Sequence, residues 1–544
     1  MSALSGAVGS TLSGRQRRLA IAFLVLVFIC LAAMRWNDQP PIGGDCDEHV
    51  IVARTFIRTG HFSVADVHAT KYPPLISSIA ILFKYLGLNV PFSMVAFNYL
   101  LVLASSLALF SLVLRNNRIG VFSLVPVLYL MSNPVVWLTA SEILADALFF
   151  FLVTVVLLLA LRVEKWTLRT TLLATLLAFL ATMSRSTGVV VILPLAAAII
   201  SDHRRRGGAF PYARLALLAF VPIASLVLFM AYEGRFGPHP TGYLEVFLLK
   251  DPFDASKGGL TLLSFLGRTM RGSVDSLRDL RDLTVYPSSP GVFSLAATIY
   301  PSLAGVFSLA AVLALFAFAL GRDKRRILVL GSFIVPYVAV ACSWPYKGAR
   351  FALPLLPIAA LGVDSALASS LRSRHRVVGA LVVLLLLVHI SINTINLHRQ
   401  AGEDEQAKAF LNSRFAALTD WCRANIPVDE KIASLDYREL ILRLDRPVMP
   451  LAYSSDTGMQ IAQLERGDVK WLILCWHVFP LRGTYAKHIV EALGQKASLK
   501  YRNDSCEVYR IDVRQRIPAA DELGARTRSP WPAHYGTVGS DARL

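Results

Sequence analysis

Long apolar runs recur along the chain from residue 19 to residue 395, and they limit what it can fold into. The runs are rich in Leu, Ala and Val and do not alternate with polar residues, so they indicate helices rather than strands. Hydrophobic residues make up 55% of the 544 residues and charged residues only 17%. A lipid bilayer can bury this much apolar surface, provided that the backbone polar groups form hydrogen bonds within helices. We therefore predict an α-helical polytopic membrane protein.

Eleven segments approach the ~20 residues that a ~30 Å hydrocarbon core requires of a transmembrane helix. We place these spans at 19–34, 91–114, 119–139, 142–161, 170–184, 187–201, 215–233, 292–320, 327–344, 351–371 and 377–395. The first span follows a basic stretch but has no small-residue cleavage site after it. An uncleaved anchor is therefore favoured over a cleaved signal peptide.

The positive charge lies almost entirely on one side of these spans. With a cytoplasmic N-terminus, the segments on that side carry 19 Lys and Arg residues against three acids, which accounts for 16 of the 18 net positive charges. This asymmetry is what the positive-inside rule requires, so the basic composition needs no nucleic-acid partner. It predicts a bacterial cytoplasmic (inner) membrane protein with a cytoplasmic N-terminus and a periplasmic C-terminus.

The membrane domain is predicted to cover 1–395, with outer loops at 35–90 and 234–291. Within the first loop, 74–87 reads as a helix along the membrane surface. Residues 396–512 alternate short strand patterns with helical ones, which is typical of a small soluble α/β domain. The segment 513–544 has a loop-like composition and is predicted to be disordered.

Six cysteines are too few for a disulfide scaffold. Four of them fall on the outer side, where an oxidising compartment permits a bridge, and Cys475 with Cys506 is the pair that we consider. The sequence has no CxxC motif and no Cys/His spacing of the kind that binds structural zinc.

The predicted topology brings ionisable residues from four parts of the sequence to the outer membrane face. Charged groups at the edge of a bilayer are costly and point to function. These residues are Asp45, Asp47, Glu48 and Lys71 of the first loop, Glu142 and Asp146 at the start of the fourth span, Arg185, and Lys347 and Arg350 before the tenth span. Acidic and basic side chains at the same depth in the membrane make a plausible site for moving an anionic lipid headgroup.

Several of these residues also have a structural interpretation. Asp45 or Asp47 would serve as the N-cap of a helix that continues through EHVIVARTFIRTG. Glu142 would be an acid in the first turn of the fourth span, where it complements the helix dipole. Arg185 and Arg350 would extend from the bilayer to its interface, although the positive-inside rule disfavours this on the outer side.

Six short segments, in the same order, resemble the signature of the GT-C membrane glycosyltransferases. The protein O-mannosyltransferases and the lipid A aminoarabinose transferases are the most similar branches. The segments are DEHVIVARTFIRTGHF (47–62), KYPPL (71–75), SEILADALFF (141–150), SRSTGVVVILP (184–194), GARFALPLLP (348–357) and WCRANIPVDEKIAS (421–434). Two positions depart from the pattern, because Phe351 replaces the usual Tyr and His49 replaces a small residue.

The resemblance implies a GT-C fold and an inverting transfer of a sugar from a polyprenyl-phosphate donor. By position, Asp47 and Glu48 would be catalytic, with Asp47 as the general base. The donor phosphate would be bound by Lys71, Arg185, Arg350 and Lys347, with Asp45, Glu142 and Asp146 as supporting acids. The implied partners are the lipid-linked sugar, membrane lipids and a glycan, lipid or protein acceptor. No metal and no other cofactor are expected, since basic residues would do the work of the ion.

Two other classes of function remain open. A transporter or flippase of lipid-linked saccharides would have a similar amphiphilic pocket without a catalytic acid, although the sequence has no visible inverted repeat. A polysaccharide polymerase or ligase would be an enzyme of another membrane family. Those enzymes usually have their large loops late in the chain, whereas the charged motif here directly follows the first span.

Overall fold

The computed structural model of the protein describes most of the chain. The described residues are 12–37, 45–65, 68–70, 72–116, 119–207, 209–235, 247–251, 257–284, 301–321, 323–346, 348–372, 376–451, 456–475 and 488–512. Lys71, Lys347 and the predicted disordered tail 513–544 lie outside these ranges.

Helices dominate the first 425 residues. In chain order they are α1 (Gly14–Arg35), α2 (Asp45–Thr59), α3 (Leu75–Tyr85), α4 (Val90–Asn116), α5 (Leu124–Met131), α6 (Pro134–Ala140), α7 (Ala145–Arg162), α8 (Leu168–Ser184), α9 (Ile192–Arg206), α10 (Tyr212–Arg235), α11 (Leu262–Thr284), α12 (Pro301–Leu320), α13 (Lys324–Ser343), α14 (Ala349–Ala352), α15 (Leu356–Arg372) and α16 (Arg376–Asn425). A short antiparallel pair, β1 (Ser63–Val64) and β2 (His68–Ala69), follows α2.

Among the described residues, eight helices are long and apolar enough to cross a membrane. The segments Gly120–Met131 and Pro134–Ala140 are bent by 54° and make a ninth if they count as one broken span. Helices α8 and α12 occupy the two other predicted positions, although residues 292–300 lie outside the described ranges. The predicted helical, multi-pass membrane fold is therefore confirmed.

Two details differ from the sequence-based prediction. Helix α7 begins at Ala145 rather than at 142, because the residues before it form a turn. Helix α16 has 50 residues and continues past the predicted end of the last span at 395. The polar stretch that follows contains no proline, and Arg399 pairs with Glu403 one turn later at 2.9 Å. Such pairs stabilise a helix in a segment whose hydropathy alone would indicate a loop.

The chain divides into two compact units. One comprises Met1–Pro41, Tyr72–Phe229 and Leu262–Lys408, and the other comprises Ile42–Lys71, Met230–Thr261 and Ala409–Leu544. The helix α2 of the first loop therefore belongs to the same unit as the C-terminal sheet. The domain boundary at 396 that the sequence suggests stays a prediction.

The helical unit contains close helix–helix contacts at small residues. At Gly362 of α15, an added Cβ would lie 2.1 Å from the backbone oxygen of Leu315 in α12. Only glycine allows the two backbones to approach this closely, as is common in membrane helix packing.

The C-terminal unit is built around a mixed sheet of five strands. They are β3 (Ile432–Ser434), β4 (Met449–Pro450), β5 (Trp471–Cys475), β6 (Ala497–Arg502) and β7 (Cys506–Ile511), in the spatial order β4-β3-β5-β7-β6. The first three are parallel, and β7 is antiparallel to both β5 and β6. This alternation of short strands and helices agrees with the pattern predicted for 396–512, and α17 (Tyr437–Leu444) and α18 (Thr457–Arg466) lie between the strands.

Two apolar clusters pack within this unit. One joins residues of β3, β5 and β7 to Phe415 and Leu418 of α16, Leu440 of α17, and Ile51 and Val52 of α2. The other contains Leu464 of α18. The core of this unit therefore includes the buried side of α2.

The cysteine pair considered from the sequence forms a disulfide. Cys475 of β5 faces Cys506 of β7 in the ladder, and the two sulfurs are bonded. The bridge ties the adjoining ends of two neighbouring strands.

Candidate active site

The first-loop acids lie in the first turn of α2. The helix begins at Asp45, so Asp47 is its third residue and is not the N-cap. Asp47 is 1% exposed and Glu48 is 0% exposed. Carboxylates buried this deeply need partners, because an unpaired buried charge is very costly.

Arg438 of α17 supplies a partner for two of these acids. Its Nη2 lies 3.0 Å from Oε2 of Glu48, and its Nη1 lies 3.5 Å from Oδ1 of Asp45. The Thr70 hydroxyl donates to Oε1 of Glu48 at 2.8 Å. Both oxygens of Glu48 are thus engaged, which fixes the first turn of α2 against α17.

Asp47 lies in the electrostatic field of a second carboxyl group, that of Glu439. Burial and the negative charge of Asp47 together raise the pKa of Glu439 to about 7, although Arg443 opposes the rise. Arg443 donates to Oε1 of Glu439 from Nε and Nη2, at 3.2 and 3.0 Å.

The imidazole of His49 is buried next to these acids. Burial lowers its pKa to about 4, although the charges of Glu48 and Asp45 oppose the shift. His49 is therefore neutral near pH 7, and this departure from the family's small residue adds no positive charge to the site.

The helix that carries Arg438, Glu439 and Arg443 was not predicted from the sequence. Its apolar residues Tyr437, Leu440 and Leu444 are spaced as on one face of a helix. This pattern could have indicated α17. The role of its charged residues could not have been found, because their partners in α2 are almost 400 residues away in sequence.

The raised pKa of Glu439 predicts a dependence of stability on pH. Its folded pKa of about 7 lies above the ordinary value of 4.5 for a glutamate side chain. The folded protein therefore holds more protons between those two pH values, and the contribution of this group to stability falls as the pH rises through that window. We expect Glu439→Gln to remove this loss, which is of the order of 1–3 kcal/mol.

The measurement is the melting temperature of wild type and Glu439→Gln from pH 4.5 to pH 8. Glu405→Gln, at an exposed position of α16, is the matched control. Parallel pH profiles for wild type and Glu439→Gln would contradict the assignment.

The helical unit holds a second group of charged residues, at the C-terminal end of α8. Arg185 caps that helix and forms an ion pair with Asp146, in the first turn of α7. The backbone N–H of Gly188 donates to the Arg185 carbonyl at 2.7 Å. A Cβ at Gly188 would lie 2.1 Å from the Ala181 carbonyl oxygen, so glycine is required for this tight turn. This explains the Arg-x-x-Gly spacing in physical terms.

The ring of Phe351 brings two arginines together. The guanidinium carbon of Arg185 lies 5.3 Å from the ring centroid, and that of Arg350 lies 4.9 Å from it. Each distance is within the range of a cation–π interaction. The Tyr337 hydroxyl donates to the Phe351 carbonyl at 2.7 Å and holds this segment in place.

Gly348 sets the approach of the chain to Arg350. Its φ of +148° is one that L side chains rarely adopt. Its N–H donates to Oδ2 of Asp279 in α11 at 3.0 Å. Glycine at this position therefore lets the backbone turn into α14, which carries Arg350.

Glu142 lies in the turn before α7 and not in the first turn of that helix. Burial raises its pKa to about 6, and the positive charges of Arg350 and Lys408 oppose the rise. Asp146 also contributes, as a negative charge. Of the predicted site residues in this unit, the structure thus groups Glu142, Asp146, Arg185 and Arg350.

Two predicted site residues receive no placement here. Lys71 and Lys347 lie outside the described residues, so their phosphate-binding role stays a prediction. Within the described ranges, no three His, Cys, Asp or Glu side chains are grouped so that they could hold a metal ion.

Comparison with solved structures shows which fold this arrangement belongs to. The structure of ArnT from Cupriavidus metallidurans bound to undecaprenyl phosphate matches with a TM-score of 0.54 and 12% identity, covering 92% of this chain and 98% of that one. The chain has the ArnT fold. ArnT in the apo state matches similarly, with a TM-score of 0.53 and 11% identity over 90% and 97% of the two chains.

The ArnT-like fold confirms the resemblance that the sequence motifs indicated, since ArnT is a lipid A aminoarabinose transferase with a GT-C fold. No family model matches the chain, and no curated protein matches it by sequence. The likeness therefore rests on the fold and not on sequence identity.

Proposed function

We propose that the chain is an inverting glycosyltransferase that uses a polyprenyl-phosphate-linked sugar as donor. The observation that carries this proposal is the pair of arginines, Arg185 and Arg350, on the ring of Phe351 within an ArnT-like fold. Two guanidinium groups at one place are suited to a phosphate, because each can donate a fork of hydrogen bonds to its oxygens.

In the proposed reaction, Asp47 accepts the proton of an acceptor hydroxyl or phosphate. The acceptor oxygen then attacks the anomeric carbon of the donor sugar from the side opposite the phosphate. A new carbon–oxygen bond forms, the bond between the sugar and the donor phosphate breaks, and the configuration inverts. The polyprenyl phosphate leaves with the electron pair of the broken bond, and positive side chains stabilise its growing charge.

The residues around the two arginines support their proposed role in binding the donor phosphate. Asp146 neutralises part of the charge of Arg185 and fixes its position, which reduces the cost of burying that guanidinium group. Phe351 presents the ring face that a tyrosine would present, but it has no hydroxyl to donate to a phosphate. Phosphate contacts at this segment are therefore assigned to Arg350 itself, with Lys71 and Lys347 as further predicted contacts.

Glu48 is assigned a positioning role next to Asp47. Both its oxygens are engaged by Arg438 and Thr70, so it holds the first turn of α2 and does not accept the substrate proton. Glu439 lies in the same unit with a pKa near neutrality, which the negative charge of Asp47 helps to raise.

The proposal predicts that Arg350→Ala weakens use of the lipid-phosphate donor by more than tenfold. A lost charge-assisted hydrogen bond costs ~1.5–3 kcal/mol, which corresponds to that change. Arg350→Lys should recover only part of the loss, because an ammonium group cannot reproduce the guanidinium fork. The measurement is the transfer rate of purified protein as a function of donor concentration.

Arg399→Ala is the control, since this arginine is exposed and pairs with a glutamate on its own helix. Wild-type kinetics in Arg350→Ala would remove this residue from the donor site.

We further propose that the C-terminal unit lies on the periplasmic side of the bacterial cytoplasmic membrane. The one-sided positive charge supports this orientation. An alkaline phosphatase fusion at Gln400 should then be active in cells, and fusions at Arg206 or Arg326 should be inactive. The opposite pattern would place Asp47 in the cytoplasm and contradict the proposed site.

A further inference from the structure

The position of Arg350 depends on contacts from outside its own short helix. Helix α14 has only four residues, and the residue at its N-cap, Gly348, has no side chain that could cap it. The N–H of Phe351 donates to the Gly348 carbonyl at 2.9 Å, which closes a single turn. One turn is unstable by itself, because fixing its backbone costs more conformational entropy than one hydrogen bond offsets. Neighbouring elements must therefore hold the turn that carries the Arg350 guanidinium group.

Two hydrogen bonds hold this turn, one on each side of Arg350. Before it, the N–H of Gly348 donates to Oδ2 of Asp279 at 3.0 Å. After it, the Tyr337 hydroxyl donates to the Phe351 carbonyl at 2.7 Å. The φ of Gly348 is +148°, and glycine can adopt many other conformations at little cost. The hydrogen bond to Asp279 therefore fixes the direction in which the chain enters α14.

Asp279 lies on the packed face of α11. Ser276, Leu280 and Leu283 are buried on the same face, at the spacing of successive helical turns. Helix α11 packs against α13 and α14, and Ser276, Asp279 and Leu280 lie around the same small gap as Phe351. The carboxylate of Asp279 is thus carried by a helix that packing holds against the Arg350 segment.

A further contact holds the C-terminal end of α11. Nδ2 of Asn133 donates to the backbone oxygen of Leu283, which belongs to the last turn, where a helix leaves its own carbonyls unsatisfied. Asn133 is itself fully buried and is the N-cap of α6, since its Oδ1 accepts the N–H of Val135 at 3.0 Å. Asp279 lies one helical turn before Leu283, so this contact restrains α11 close to the carboxylate.

We propose that Asp279 is a positioning residue for the donor phosphate site, and that it acts by holding Arg350 at a fixed distance from Arg185. Arg185 is held by its ion pair with Asp146, whereas Arg350 depends on the turn described above. Both guanidinium groups lie on the ring of Phe351, and one phosphate can contact both only while their spacing is kept. This inference rests on the proposed function, because it concerns the same donor site.

The test compares Asp279→Leu with Asp279→Asn in the purified full-length protein. Leucine is similar in size but cannot accept the Gly348 N–H, so the KM for the donor lipid should rise about tenfold, as expected for one lost hydrogen bond. The kcat should change by no more than about twofold, since the turn is needed to bind the donor. Asparagine keeps an acceptor oxygen, so Asp279→Asn should keep the donor KM within about threefold of wild type.

Hydrogen–deuterium exchange of the segment from Gly348 to Phe351 gives a readout that does not depend on transfer. Exchange should be faster in Asp279→Leu and unchanged in Asp279→Asn. Asp275→Leu is the matched control, because Asp275 lies one turn earlier on α11 and pairs with Arg278 of the same helix at 3.6 Å. It should change neither exchange nor donor KM. If Asp279→Leu does not fold, Asp279→Ser replaces it with the same expected results, because the shorter side chain cannot reach the Gly348 N–H.

A double variant decides whether Asp279 acts through Arg350. In the Arg350→Ala background, Asp279→Leu should raise the donor KM no further. A further rise of similar size would overturn the inference, as would a loss of kcat at an unchanged donor KM or unchanged exchange in Asp279→Leu. A wild-type donor KM in Asp279→Leu, with a raised one in Arg350→Ala, would overturn this inference alone. A wild-type donor KM in Arg350→Ala would instead overturn the proposed donor site, and this inference with it.

Discussion

Asp47→Asn is expected to lower sugar transfer to ~1% of wild type or less while the protein still folds and binds the donor lipid. The amide keeps the size and the hydrogen-bonding oxygen of the carboxylate but cannot accept the substrate proton, and general-base help is worth ~10²–10⁴ in rate. Asp47 lies inside the first turn of α2 and not at its cap, so a capping role does not account for it. The measurement is transfer by purified protein at saturating donor, with donor binding determined separately.

Substitutions of the neighbouring acids test whether the effect is specific to Asp47. Glu48→Gln should lower the melting temperature, because Arg438 loses a buried charged partner, and activity should fall along with stability. Asp45→Asn should have a smaller effect, since its contact with Arg438 is longer, at 3.5 Å. Asp420→Asn, at an exposed position of α16, is the neutral control. Near-normal transfer by Asp47→Asn would leave the assignment of Asp47 as general base without support.

Arg185→Gln is expected to impair both stability and donor use. The substitution leaves Asp146 buried without its ion pair, and breaking a buried pair in this way costs ~3–5 kcal/mol. It also removes one of the two guanidinium groups on Phe351, so donor use should fall at least tenfold. Thermal unfolding in detergent and the donor dependence of transfer measure the two effects.

A second substitution separates these effects. Asp146→Asn in the Arg185→Gln background removes the unpaired carboxylate, so most of the lost stability should return while donor use stays low. Asp146→Asn alone should keep donor use, since Arg185 remains. Recovery of donor use in the double variant would show that Arg185 acts only through folding and would contradict its assignment to phosphate.

The membrane architecture could be predicted from the sequence because hydropathy and charge act over whole segments. Each of the eleven predicted spans overlaps a helix in the described ranges, although 119–139 is broken at a 54° bend and 292–300 lies outside those ranges. The ends of the helices were predicted less accurately, as the start of α7 and the length of α16 show. Local hydropathy places Glu142 in a span and ends α16 at 395, whereas backbone hydrogen bonding and ion pairs along the helix decide the real limits.

The candidate site was only partly predictable. Short motifs singled out Asp47, Glu48, Arg185 and Arg350 as candidates, since each combines a charged residue with a turn or helix start of restricted geometry. They could not show that Arg185 pairs with Asp146 or that Phe351 lies against both arginines. The motifs also gave no indication that α17 contributes to the site, because the partners of its charged residues are distant in the sequence.

The contact between Arg438 and the acids of α2 has a consequence for how proteins with this fold can be recombined. The segment Ile42–Lys71 and the C-terminal sheet share one compact unit, and Arg438 holds Glu48 at 3.0 Å within it. A chimera that exchanges only the C-terminal region with a distant homologue would bring a new surface against the old first loop. The two segments are therefore expected to be interchangeable only together, although more than 300 residues separate them in the sequence.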